Sequence, residues 1–159
     1  MKVKDVMIKD IITCKPDNSV STVARMFKEN HISGIPVVEK SKVMGMISET
    51  DILKLFKTPE FSNELILPSP FEVIEIPIRN LVRLEETKIA FDNLKIKPVK
   101  NFMEKTVHSI SPDASLEEAS AQMVKHKVNR LPVIQNGELV GIVARSDIIR
   151  GLSSAGNNS

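Results

Sequence analysis

A chain of 159 residues, 42% apolar and 26% charged, is large enough for one globular domain or for two halves sharing a core. Its formal charge of +2 is too small to imply nucleic acid or a lipid surface, and its single cysteine, Cys14, excludes a disulfide framework. His31, His108 and His126 have no ligand spacing such as H-E-x-x-H, so no metal site is expected.

The opening MKVKDVMIKD lacks the apolar core of a signal peptide, and no apolar run reaches the ~18 residues of a membrane span, so a cytoplasmic protein is expected. Val3 to Met7 reads as a lead-in turn, and the β-branched stretch Asp10 to Thr13 as a small strand ended by Pro16-Asp17. Ser19 is an N-cap for a helix to about Asn30, with Val20, Val23, Ala24 and Phe27 on one core face. Ile35 to Val38 is a short strand entered through Pro36, which is tolerated near a strand's start. A second strand runs from Val43 through Gly45 into a helix carrying Ile52, Leu53, Leu55 and Phe56. Ser48 and Asp51 have the spacing of a capping box at that helix's start, where the free amides also attract anions.

The same series then recurs. Val3 to Phe56 aligns without a gap on Val99 to Leu152, with Pro16/Pro112, Asp17/Asp113, Ser19/Ser115, Pro36/Pro132, Gly45/Gly141 and Asp51/Asp147 among the identical pairs. In the second copy Ser115 and Glu118 form a fuller capping box before Leu116, Ala119, Met123 and Val124. Asn136-Gly137 is a strong hairpin signal between Leu131 to Ile134 and Glu138 to Val143. Each copy is too small for a stable core of its own, so the two should bury their apolar faces together. The fold class is mixed α/β (α+β), two pseudo-symmetric β-α-β-β-α repeats packed as one module: repeat one over 1–56, repeat two over 99–152.

Residues 57–98 match neither copy. Leu65 to Pro77, with three prolines, reads as extended, and Ile78 to Leu94 as a helix presenting Ile78, Leu81, Val82, Ile89 and Leu94, so the inserted linker should contain a helix. Residues 153–159, SSAGNNS, read as a disordered tail.

The ordered motifs Asp5-Val6-Met7, Thr13 to Val20, His31 to Val38 and Gly45 to Ile52, repeated as Asn101-Phe102-Met103, Ser109 to Leu116, Asn129 to Ile134 and Gly141 to Ile148, resemble tandem cystathionine beta-synthase (CBS) domains. The resemblance covers about two thirds of the chain and implies a regulatory pair of domains with two clefts for adenosyl ligands such as AMP, ADP, ATP or S-adenosylmethionine. One cleft would combine Ser48 and Asp51 with Thr106, Val107, Val128, Asn129, Arg130 and Pro132. The other would combine Asp147 and Arg145 with Ile11, Ile12, Ile32, Ser33 and Pro36. A carboxylate can accept from both ribose hydroxyls, and a serine hydroxyl can donate to phosphate. Ala144 stands where the family often has Thr or Ser, which weakens phosphate binding in the second cleft.

The resemblance further implies a homodimer, for which Ile52, Phe56, Ile148 and Leu152 are candidate contacts, and an effector protein whose identity the sequence does not give. No nucleophile and base pair, paired acid or P-loop is present, so the expected role is regulatory and not enzymatic. The competing reading is a structural or nucleic-acid-associated adaptor with empty clefts, which the low charge and the absence of Trp and Tyr disfavour in its nucleic-acid form.

Overall fold

The computed structural model describes residues 1–55 and 88–156. In chain order these form α1 (Val3–Val6), α2 (Val20–Asn30), β1 (Gly34–Glu39), β2 (Lys42–Ser48), α3 (Glu49–Lys54), α4 (Leu116–His126), β3 (Arg130–Gln135), β4 (Glu138–Ala144) and α5 (Arg145–Ala155). β1 with β2, and β3 with β4, make two two-stranded sheets. β3 and β4 are antiparallel, with Arg130 opposite Ala144 and Gln135 opposite Glu138. Their turn uses Asn136 at φ 53° and Gly137 at φ 80°, the positive φ that this dipeptide accepts. Lys40 and Ser41 also take positive φ, 50° and 64°, between β1 and β2 without a glycine.

α2 and α4 start where their serines cap them. The Ser19 hydroxyl accepts from the Thr22 amide at 3.2 Å. At α4 the Ser115 hydroxyl accepts from Glu118 N–H at 3.1 Å while the Glu118 carboxylate accepts from Ser115 N–H at 2.9 Å, a complete box. Val20, Val23 and Phe27 of α2, and Leu116, Ala119 and Met123 of α4, are buried as expected. Ala24 and Val124 are not: each sits one step round the helix from the buried stripe and is exposed, Val124 at 79%.

The strand expected at Asp10 to Thr13 does not form. Only Cys14 bridges β1, its N–H donating to Pro36 O at 3.1 Å and its carbonyl accepting from Val38 N–H at 2.8 Å. The next parallel rungs would need an N–H from Pro36 on one side and from Pro16 on the other, and proline has none. The second repeat repeats the outcome: Ile110 bridges Val133 between Pro132 and Pro112. The lead-in turn, by contrast, is the one-turn helix α1.

Two compact units emerge, and neither coincides with a repeat. One comprises Met1–Pro16, Gly34–Met46 and Glu104–Ser159, the other Asp17–Ser33 and Ile47–Met103. The reason is an exchange of lead-in segments. Within the first unit Val3 N–H donates to Ala114 O and Lys4 N–H to Pro112 O, both at 2.9 Å. Ile8 trades both backbone bonds with Ile142 at 2.8 and 3.0 Å, and Glu104 does the same with Met46. Gly141 permits that approach, since a Cβ there would lie 2.6 Å from Met7 Sδ. Within the second unit Val99 N–H donates to Asn18 O at 2.9 Å.

The first unit's core gathers Val3, Ile110, Leu116, Ala119, Met123, Leu131, Val133, Val143 and Ile148. Each fully buried aliphatic side chain there contributes roughly 1.5–3 kcal/mol of transfer free energy. Ile148 therefore leaves the set of candidate dimer contacts, because it is 5% exposed and packed inside. Leu152 stays at the surface, Ile52 is half-buried, and Phe56 lies outside the described residues.

α5 runs three residues past the expected end at Leu152, with the Ser153 and Ser154 hydroxyls donating back to Arg150 O and Gly151 O at 2.8 and 2.9 Å. In the linker, residues 88–95 are helical, Leu94 is buried and Ile89 exposed; the stretch expected to be extended, residues 78–87 of the expected helix and residues 157–159 lie outside the described residues.

Candidate functional site

Ser48 ends β2 and caps α3 with extended backbone, φ −127° and ψ 165°. The Asp51 carboxylate reaches back one turn, its Oδ2 accepting from Ser48 N–H at 2.9 Å and from the Ser48 hydroxyl at 3.0 Å. Asp51 N–H faces Ser48 Oγ at 3.4 Å. Among the described residues nothing bonds Oδ1 of this half-buried carboxylate. Ser33 lies against the same turn, its carbonyl accepting from Glu49 N–H at 2.9 Å.

The equivalent turn in the other repeat is built differently. Ala144 has no side-chain acceptor, so only half of the box exists: Asp147 Oδ2 accepts from Ala144 N–H at 2.8 Å. Oδ1 is taken by Arg150 Nη2 at 2.7 Å. Asp147 is 4% exposed, the buried charged group among the described residues. Arg145 is exposed, and its N–H donates to Asn129 O at 3.0 Å, the counterpart of the Glu49 and Ser33 bond.

Of the other residues singled out in the first unit, Ile11, Ile12, Val107 and Val128 are half-buried, Thr106 and Asn129 exposed, and Pro36 and Pro132 buried. Ile32, in the second unit, is half-buried, its N–H donating to Phe27 O at 3.1 Å. Pro132 uses its carbonyl, which accepts from Ile110 N–H at 3.0 Å. Arg130 lays its guanidinium over Gly34, its own counterpart in the first repeat, where a Cβ would be built into it. An open groove of about 340 Å³ is lined by Lys9, Ile11, Thr13, Val38, Ser41, Glu138 and Leu139, and takes in only Ile11 from the expected set.

Two features escaped the sequence reading. The rings of His108 and His126 stack with centroids 3.6 Å apart and planes 12° from parallel. Desolvation, then the neighbouring charges of His108 and Lys125, hold His126 below the ordinary histidine range. Eighteen residues of separation carry no periodic signal that would pair them. The second feature is the Arg150 bond to Asp147, whose i, i+3 spacing looks like any solvated helix pair.

Among the described residues no three His, Cys, Asp or Glu side chains cluster. Burial pushes the Cys14 thiol up to about 11, away from the reactive thiolate. His31 is exposed and closes α2 in a left-handed conformation, a surface role. No described helix is long and apolar enough to cross a membrane.

Residues 3–58 and 99–154 each match the family model of the CBS domain. An uncharacterized protein of Methanocaldococcus jannaschii, MJ1426, is 40% identical over 154 residues, spanning 96% of this chain and 91% of its own length. The CBS domain pair of MJ0100, solved in complex with 5′-methylthioadenosine and S-adenosyl-L-methionine, has the same fold at a TM-score of 0.70 and 20% identity, over 98% of each chain. CBSX2, solved in complex with AMP, matches at 0.70 and 21% over the same share of each.

Proposed function

The chain belongs to the CBS domain family, and from that premise we propose that it is a regulatory, non-catalytic module that binds an adenosyl ligand and passes the binding to a partner protein. The observation that carries this reading is the Asp51 carboxylate. Ser48 holds it through Oδ2, leaving Oδ1 open among the described residues, the arrangement an acceptor for sugar hydroxyls needs. The Ser48 hydroxyl already donates to Oδ2 and the Glu49 amide to Ser33 O, so a phosphate at this turn would have to draw the hydroxyl away from the carboxylate. The ligands held by MJ0100 and CBSX2 belong to the same adenosyl class, which supports the choice among small molecules.

A homodimer formed through the exposed Ile149 and Leu152 of α5, in a cytoplasmic protein, completes the reading. Native mass spectrometry of the freshly purified chain tests it. A retained mass of an adenosyl compound, or one acquired on adding AMP or S-adenosylmethionine, supports the sensor. No added mass at millimolar ligand supports an adaptor with empty clefts.

A further inference from the structure

We propose that Arg150 gates the acidic residue of the second repeat: it closes Asp147 with a charge-assisted hydrogen bond that a ligand's hydroxyls must displace. The inference rests on the reading that the repeated aspartates accept from ligand hydroxyls, and adds a residue that decides which of the two does so freely. A carboxylate offers about four lone-pair positions, so two bonds would ordinarily leave room for a diol. Here they do not, because the Asp147 side chain is only 6% exposed while the Arg150 side chain over it is 62% exposed. The outer, solvent-facing partner is thus the arginine.

A neutral hydroxyl is a poor competitor for that position. Hydrogen bonds with an ionised donor are shorter and about twice as strong as neutral ones, and the 2.7 Å distance is at the short end of the ionic range. The first repeat supplies the open state for comparison. Lys54 occupies the position of Arg150, and among the described residues it makes no ion pair with Asp51. An ammonium on a flexible stem lacks the planar fork that lets arginine reach back and hold a carboxylate. Repeat one therefore offers an open carboxylate and repeat two a latched one.

Calorimetric titration of the full chain with adenosine, an uncharged ligand bearing the vicinal diol, tests the gate. Wild type should take one equivalent, lost in Asp51→Ala. Arg150→Ala should gain a second, or tighten a weak second step by roughly tenfold. Asp147→Asn in the Arg150→Ala background should remove that gain, and 2′,3′-dideoxyadenosine should not show it. Arg150→Lys, which keeps a cation beside the buried carboxylate, should move in the same direction and decides the matter if Arg150→Ala does not fold. An unchanged second step in both Arg150 variants, with the Asp51-dependent step intact, overturns the gate and leaves the proposed function standing. A wild type that already binds two equivalents, the second through Asp147, also overturns it. Adenosine binding to no variant at millimolar concentration overturns both.

Discussion

Ser48, Asp51 and Lys54 at the start of α3 occupy the same three slots as Ala144, Asp147 and Arg150 at the start of α5. The backbone does the same thing in both places: the capping residue is extended, with ψ of 165° and 166°, and the aspartate accepts from its N–H. The side chains do not. At α3 a serine hydroxyl shares one carboxylate oxygen and leaves the other open; at α5 the hydroxyl is missing and an arginine one turn on takes the second oxygen. A repeated acidic residue therefore marks a place in the fold, and the residues three positions either side decide whether its charge is available.

The largest effect on the unliganded protein should come from Asp147→Ala. It strips a half-buried amide and a guanidinium of their shared acceptor, and urea unfolding should show a loss of about 1–3 kcal/mol. Asp51→Ala, which removes a more exposed cap, should cost about 1 kcal/mol. Equal losses would mean that the two turns are energetically alike despite their different partners.

Ala144→Ser gives the second repeat the hydroxyl that the first has. A new acceptor for Asp147 N–H should raise the unfolding free energy by about 1 kcal/mol. A neutral or destabilising result would show that this amide already has the partner it needs.

The smallest effect is pH-dependent and belongs to the His108 and His126 stack. Because folding lowers the His126 pKa from 6.5, the unfolded chain binds more protons on the acid side, so stability rises with pH there. The contribution is complete above about 6.5 and is lost as pH falls through the lower folded value. Thermal midpoints measured from pH 7.5 to 5 should fall, and His126→Gln should flatten the decline. An unchanged slope in that variant would assign the acid sensitivity elsewhere.

The helices, their serine caps and the Asn136-Gly137 hairpin were legible because each depends on residues within four positions of one another. Lys40 and Ser41 make the matching turn without the dipeptide that announces it. Pro16, which closes the stretch Asp10 to Thr13, was visible in the sequence, but the missing strand there was hidden by Pro36, a proline on a different segment that lies beside it in space. Periodicity identified the apolar stripe of α4 but not its edge, so Val124 was placed inside. It also says which face is buried and not what covers it, so the exchange that puts Val3 against Ala114 and Val99 against Asn18 could not be read. In the candidate site the paired aspartates were legible from the repeat alone. Their unequal availability was not, since a one-turn reach of Arg150 and the absence of one by Lys54 leave the same kind of sequence behind.

The central claim, that Asp51 holds a ligand and is more than a helix cap, is tested most directly by the thermal shift of wild type and Asp51→Ala with AMP. At 100 times its dissociation constant a ligand that binds only the folded state adds about 2.7 kcal/mol. For a chain of this size ~1 kcal/mol moves the midpoint by roughly 2–4 °C, so wild type should rise by about 5–11 °C. Asp51→Ala should start lower and scarcely move. A variant that starts lower yet keeps the full wild-type shift with AMP would contradict the account and leave Asp51 as a cap alone.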